Sequence, residues 1–190
     1  MAPIHDLART GDIAGLRALL DCGDLLKARE IAEMRDVHKR TALHLASFFG
    51  YVECVEFLIQ FSDANGEASD GYIALHFASQ RGHDKVVRTL LRQSPIDRKT
   101  YKGMTPFHLA CMKASAFNGH GDVARLLISK GCDTAIKSKQ GKIGLDLVQD
   151  VSLRSILQEL INNSTIKRKR PHDMSKNDFD SPNKLVKPNT

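Results

Sequence analysis

The sequence predicts an all-α solenoid, built from helix–turn–helix units stacked side by side and followed by a disordered basic tail. Three observations predict it. His44, His76 and His108 lie 32 residues apart, twice, and Ala46, Ala78 and Ala110 keep the same interval. Two apolar patterns of helical spacing, parted by a glycine, recur beside each histidine. Trp is absent and aromatic residues are only 6% of the chain, so the core must come from Leu, Ile, Val and Ala.

The units follow in chain order. Ile4-His5-Asp6-Leu7-Ala8 leads through Gly11-Asp12 to Leu16, Leu19 and Leu20, an incomplete first unit. Its link onward is long: Leu20 to Thr41 is 21 residues, against 14 from Ile59 to Ile73. The extra stretch, 25–34, is expected either to lengthen the second helix or to add another turn of helix. The next two units run through 41–59 and 73–91. Their first helices carry Leu43, Leu45 and Ala46, or Leu75, Phe77 and Ala78; Gly50 and Gly82 mark the turns. Glycine suits a tight turn that needs positive φ. The second helices show Val52, Val55, Leu58 and Ile59, then Val86, Val87, Leu90 and Leu91. Neither helix of a unit can bury its apolar face alone, and stacking makes the core continuous.

The fourth unit, at 105–128, is irregular. Ala110 precedes its turn glycine, Gly119, by nine residues where the others have four, an insertion of five around 113–118. Insertions in repeats map to loops on one face, often the binding face. A loop tolerated at little entropic cost fits equally well. The last unit keeps the spacing but puts Asp146 where histidine is expected, and Leu153, Ile156, Leu157, Leu160 and Ile161 form a final helix. Terminal units must present a polar outer face, so this one reads as a cap. The division is 1–163 for the body, with units at about 4–36, 37–68, 69–100, 101–138 and 139–163, and 164–190 for the tail.

Thr105-Pro106-Phe107-His108-Leu109-Ala110 and the glycine-led Lys130-Gly131-Cys132-Asp133 carry a family resemblance. The chain resembles ankyrin-repeat proteins, whose signature is T-P-L-H-x-A at a period near 33 residues. The resemblance implies about five repeats including the degenerate ends, and a histidine that hydrogen-bonds neighbouring turns. It also implies binding of a protein partner, without catalysis, at the turn tips and the exposed side of the first helices. Carried onto this chain, the partner-binding positions are Arg40, Phe48, Phe49, Tyr72, Gln80, Arg81, Tyr101, Lys102, Met104, Met112 and Lys113. Aromatic, Met and Arg side chains are enriched at such interfaces. In size and organisation the chain is similar to small ankyrin regulators of cell-cycle kinases. Transcription-factor regulators of the inhibitor-of-NF-κB type are a second comparison, but their acidic or degradation segments are missing here.

Site chemistry points away from an enzyme. Stacked units would hold His44, His76 and His108 roughly 10 Å apart, whereas zinc needs ligands about 2 Å from one ion. Cys22, Cys54, Cys111 and Cys132 contain no C-x-x-C. Cys54, Cys111 and Cys132 occupy places of small apolar residues in the repeat, where free thiols pack as hydrophobes. No phosphate loop, G-x-S-x-G or H-E-x-x-H occurs, and neither a metal nor a cofactor is expected.

Charge separates body from tail. Of the formal net charge of +6, residues 164–190 hold seven Lys/Arg and three Asp/Glu, leaving +2 on the body. A nucleic-acid-binding body is expected to carry its own basic face, so direct binding falls to the tail if anywhere. Lys167, Arg168, Lys169 and Arg170 form a basic cluster of the kind importins read in the nuclear import of proteins. Ser181-Pro182-Asn183-Lys184 has the form that proline-directed kinases phosphorylate. No apolar run nears the roughly 20 residues of a membrane span. The N-terminus lacks a signal peptide's apolar core, and the expected location is the nucleus, with cytoplasm besides.

Overall fold

The computed structural model describes residues 3–21, 23–113 and 120–168. Among these, ten α-helices and two 3-10 turns make up the regular structure, with no strand. Helices α1 (Pro3–Thr10), α4 (Ala42–Phe49), α6 (Ala74–Arg81) and α8 (Pro106–Lys113) pack in sequence to form the inner layer, which the 3-10 turn Gly144–Leu147 closes. Helices α2 (Ile13–Leu20), α5 (Val52–Leu58), α7 (Asp84–Leu90), α9 (His120–Ser129) and α10 (Val151–Arg168) pack in sequence as the outer layer.

The periodic apolar residues fill the space between layers. Leu43, Leu75, Val86, Val87, Leu90, Val123 and Leu127 are fully buried. A buried Leu or Val contributes about 1.5–3 kcal/mol through removal from water. The second-Ala place of the inner helices holds Ser47, Ser79 and Cys111, all buried. Small side chains there let successive inner helices approach closely. Cys54, Cys111 and Cys132 are buried free thiols, as their places in the repeat imply, and burial pushes the Cys111 thiol well above its ordinary range.

Helices α4 and α6 turn into their outer partners through glycine. Gly50 has φ 86° and Gly82 φ 78°. A Cβ on Gly50 would also lie 2.6 Å from the His83 ring. The His83 ring sits there because its Nε2 hydrogen-bonds the Phe48 carbonyl at 3.0 Å.

The long first link resolves as an added helix, α3 (Leu25–Ala32), packed against α2. Asp24 separates the two helices by accepting from Leu26 and Lys27 N–H at 3.0 and 3.3 Å. At the other end, α10 continues past 163 to Arg168. Residues 162–168 hold a single apolar residue, Ile166, so the apolar stripe that marks the helix up to Ile161 does not reach them. Cys22, the inserted residues 114–119, and Lys169 onward lie outside the described residues. So do the disorder expected of the tail, the turn expected at 118–119, and Ser181.

Candidate partner-binding surface

Between repeats the chain forms four tips: residues 36–40, 68–72, 100–104 and 138–142. In each, the first N–H donates to the fifth carbonyl: Asp36 to Arg40 at 2.9 Å, Ala68 to Tyr72 at 2.7 Å, Thr100 to Met104 and Ser138 to Lys142 at 2.9 Å. Successive tips are tied by backbone bonds: Ser69 N–H to His38 O at 3.0 Å, Tyr101 to Asp70 at 2.9 Å, and Lys139 to Lys102 at 3.0 Å. Each tip's fourth residue needs a left-handed backbone. Gly71, Gly103 and Gly141 supply it at φ 73–78°, but the first tip has Lys39 at φ 58°. An L-residue loses roughly 1–2 kcal/mol in that region. Lys39→Gly should therefore raise stability by about 0.5–1 kcal/mol, after the extra unfolded-state entropy of glycine. Urea denaturation checks this, and a loss of stability would contradict it.

The histidines hold tips to helices. His44 Nδ1 accepts from the Thr41 N–H at 3.1 Å, and the Thr41 hydroxyl lies 2.9 Å away as a second donor. His76 accepts from Ile73 N–H at 3.1 Å, and His108 from Thr105 N–H at 3.3 Å. With Nδ1 accepting, the proton sits on Nε2, which donates to the next tip or to the chain just before it: His44 to Gly66 O at 3.0 Å, His76 to Arg98 O at 2.9 Å, His108 to Lys142 O at 3.1 Å. His5 Nε2 makes the same outward bond, to Met34 O at 3.0 Å. Asp146 keeps only half of this device. Its carboxylate accepts from Ile143 N–H at 3.0 Å, but it has no proton to give onward, which suits the last repeat. Burial drives the His44 and His76 pKa values down to about 4, and lowers that of His108. All three histidines are thus spent on backbone.

The surface beside these tips is aromatic. Phe48 is half-buried, edge-on to Phe49 at 5.1 Å and to Phe77 at 6.2 Å, with the Arg81 guanidinium 4.6 Å above its ring. Tyr72 packs 5.3 Å from Phe77. Phe49 lies outermost, 39% exposed and stacked on Tyr51. Met112 on α8 is 38% exposed and Tyr101 on the third tip 59%. Arg81, Lys102 and Lys113 are exposed; Arg40, Gln80 and Met104 are half-buried. Arg40 is committed to Asp36, 2.7 Å away. Burial opposes ionisation of Asp36, but hydrogen bonds from the Arg40 side chain and from the Arg40 and His38 N–H groups outweigh it. They hold the carboxyl below its usual range.

The expected residues therefore fall into two roles. Phe49, Tyr101, Lys102, Met112 and Lys113 present exposed surface and Arg81 is exposed with its guanidinium over the Phe48 ring, whereas Phe48, Tyr72, Arg40, Gln80 and Met104 are half-buried. Sequence reading missed Glu67, which accepts from both the Arg98 guanidinium and the Tyr101 hydroxyl and so fixes Tyr101 on its tip. The spacing of 31 between Glu67 and Arg98 was its only signal. No cluster of three or more metal-ligating side chains occurs among the described residues, and no described helix is long and apolar enough to cross a membrane.

Ankyrin-repeat family models match residues 38–69 and, as three copies, 61–138. The chain belongs to the ankyrin-repeat family. Its repeats are protein-interaction modules without catalytic machinery. Over 132 residues, 66% of this chain, it is 30% identical to the target of rapamycin complex 2 subunit AVO2 of Saccharomyces cerevisiae, covering 30% of that protein. It is 35% identical over 116 residues to the NF-kappa-B inhibitor cactus of Drosophila yakuba, 60% of this chain and 22% of the relative. Protein phosphatase 1 regulatory subunit 12A of Mus musculus matches at 30% over 107 residues, 56% of this chain and 10% of the relative. The ankyrin chain thus spans less than a third of these relatives.

Proposed function

We propose that this ankyrin stack is a regulatory or adaptor subunit that acts in the nucleus by gripping a protein partner along its inner helices and tips. The observation that carries the proposal is the exposure of Phe49, Met112 and Tyr101 beside a fully hydrogen-bonded tip row. The Phe49 and Tyr101 rings have few rotamers to lose on docking and bury much apolar area, and the flexible Met112 adapts to a partner's contour. Importin would recognise Lys167, Arg168, Lys169 and Arg170, which begin on the last turn of α10 and continue beyond the described residues. The likeness to an NF-kappa-B inhibitor and a phosphatase regulatory subunit favours regulation by binding. A second reading, a transcription-factor partner of the inhibitor type, draws on the 35% identity to cactus. The cell-cycle kinase reading rests on size and organisation.

One cell experiment tests both halves. The tagged chain should concentrate in nuclei and retain bound proteins on capture. Alanine at 167–170 should abolish nuclear concentration and leave capture from extract intact. Phe49→Ala with Met112→Ala should do the reverse. Unchanged distribution of the tail variant contradicts the import reading; unchanged capture by the surface variant contradicts the binding reading.

A further inference from the structure

Charge is unevenly placed along the tip row. The first tip is mixed, with Asp36 paired to Arg40; the second carries the exposed Asp70, and Glu67 just before it pairs with Arg98. The next two are purely basic. Neither 98–121 nor 134–145 contains an Asp or Glu. Lys99, Lys102, Lys137, Lys139 and Lys142 are all exposed there. None takes part in an ion pair among the described residues. The backbone sets Lys102 and Lys139 side by side, with Lys99, Lys137 and Lys142 two to three residues away along the same two segments. Lys139 N–H donates to Lys102 O at 3.0 Å, and a Cβ on Gly103 would lie 2.9 Å from Lys139 N. Like charges so gathered repel one another and make a local positive potential that the near-neutral body does not reveal.

We propose that the third and fourth tips dock an acidic, extended peptide segment of the protein partner, its carboxylates seated among Lys99, Lys102, Lys137, Lys139 and Lys142. The inference rests on the protein-binding reading above and names the chemistry of the partner. An acidic peptide fits better than a nucleic acid. Single-stranded nucleic acid wants several aromatic platforms between its cations, whereas the third and fourth tips hold a single aromatic, Tyr101, whose ring lies against Gly71. Asp70 and Asp133 stand exposed on neighbouring segments, where they would repel a continuous phosphate backbone but leave room for a short acidic segment. Lysines on flexible stems suit carboxylates at irregular spacing.

The test uses the full chain and a fluorescein-labelled dodecapeptide of alternating Glu and Ser, read by fluorescence anisotropy in 150 mM salt. Lys102→Gln, Lys139→Gln and Lys142→Gln together should weaken binding about tenfold, from three lost surface charge contacts. Alanine at 167–170 and Lys85→Gln on the outer helix α7 should each change it less than about twofold. A 12-base-pair DNA duplex should bind the body more weakly than the peptide when 167–170 are alanine. Should the triple variant lose its helical circular dichroism, Lys139→Gln alone still has to weaken the peptide about twofold. Equal affinity in the tip variants, loss of binding in the tail variant, or tighter binding of duplex than of peptide would overturn the proposal. Capture that depends on Phe49 and Met112 would stand through any of these results, so the two readings fail separately.

Discussion

Replacing His76 by alanine is expected to cost the stack about 3–4 kcal/mol, because one ring satisfies buried backbone on two sides. The Ile73 N–H loses its acceptor and the Arg98 carbonyl its donor, each in a site water does not reach freely. Loss of an N-cap acceptor costs about 1 kcal/mol, an orphaned part-buried carbonyl about 1–2 kcal/mol, and the ring leaves a cavity beside Tyr72. In a chain of this size that amounts to a fall of about 8–12 °C in melting temperature. Because each repeat contacts only its neighbours, the break lies in the middle of the stack and uncouples its halves. His76→Asn should fall between the two, since its amide oxygen can accept from Ile73 but cannot reach Arg98; Asp146 already makes that half-substitution in the last repeat. Thermal melting followed by circular dichroism reads both variants. A loss under about 1 kcal/mol for His76→Ala would mean that packing, and not the tip linkage, holds the repeats in register.

Acid should weaken the fold well before carboxylates protonate. His44 and His76 have pKa values of about 4 in the fold, through burial, against 6.5 unfolded. Above pH 6.5 both states hold them neutral and the two groups are silent. As pH falls from 6.5 towards 4 the unfolded chain takes up protons that the folded chain refuses, so stability drops by up to about 3 kcal/mol for each. Asp36 acts in the same sense at lower pH: its pKa is lowered, so its contribution is present above 3.8 and is lost only below that. Urea midpoints at pH 7.5, 5.5 and 4.5 should therefore decline steadily. A flat profile over that window would show that the two rings are not buried as neutral groups.

Much of this was legible in the sequence, and the reasons are local. The 32-residue interval of His44, His76 and His108 announced the stack because each histidine must meet the same two backbone groups. Asp146 announced the cap because the spacing survived while the proton donor did not. Other features depended on three dimensions. Residues 25–34 had helical character, but only the Asp24 cap decides between a longer α2 and a separate α3. Phe48 and Phe49 are adjacent in sequence, and the ring that packs against Phe77 is not distinguishable from its neighbour by pattern alone. The basic tips escaped a charge count, since residues 1–72, with seven Lys/Arg and twelve Asp/Glu, cancel them in the sum.

The central claim is that the inner helices and tips, and not the outer helices, face the partner. Photocrosslinking tests it most directly. A benzophenone side chain at Phe49 on α4 should crosslink to the captured protein, and the same group at the exposed Glu56 on α5 should not. Crosslinking from Glu56 with none from Phe49 would place the partner on the opposite face and contradict the account.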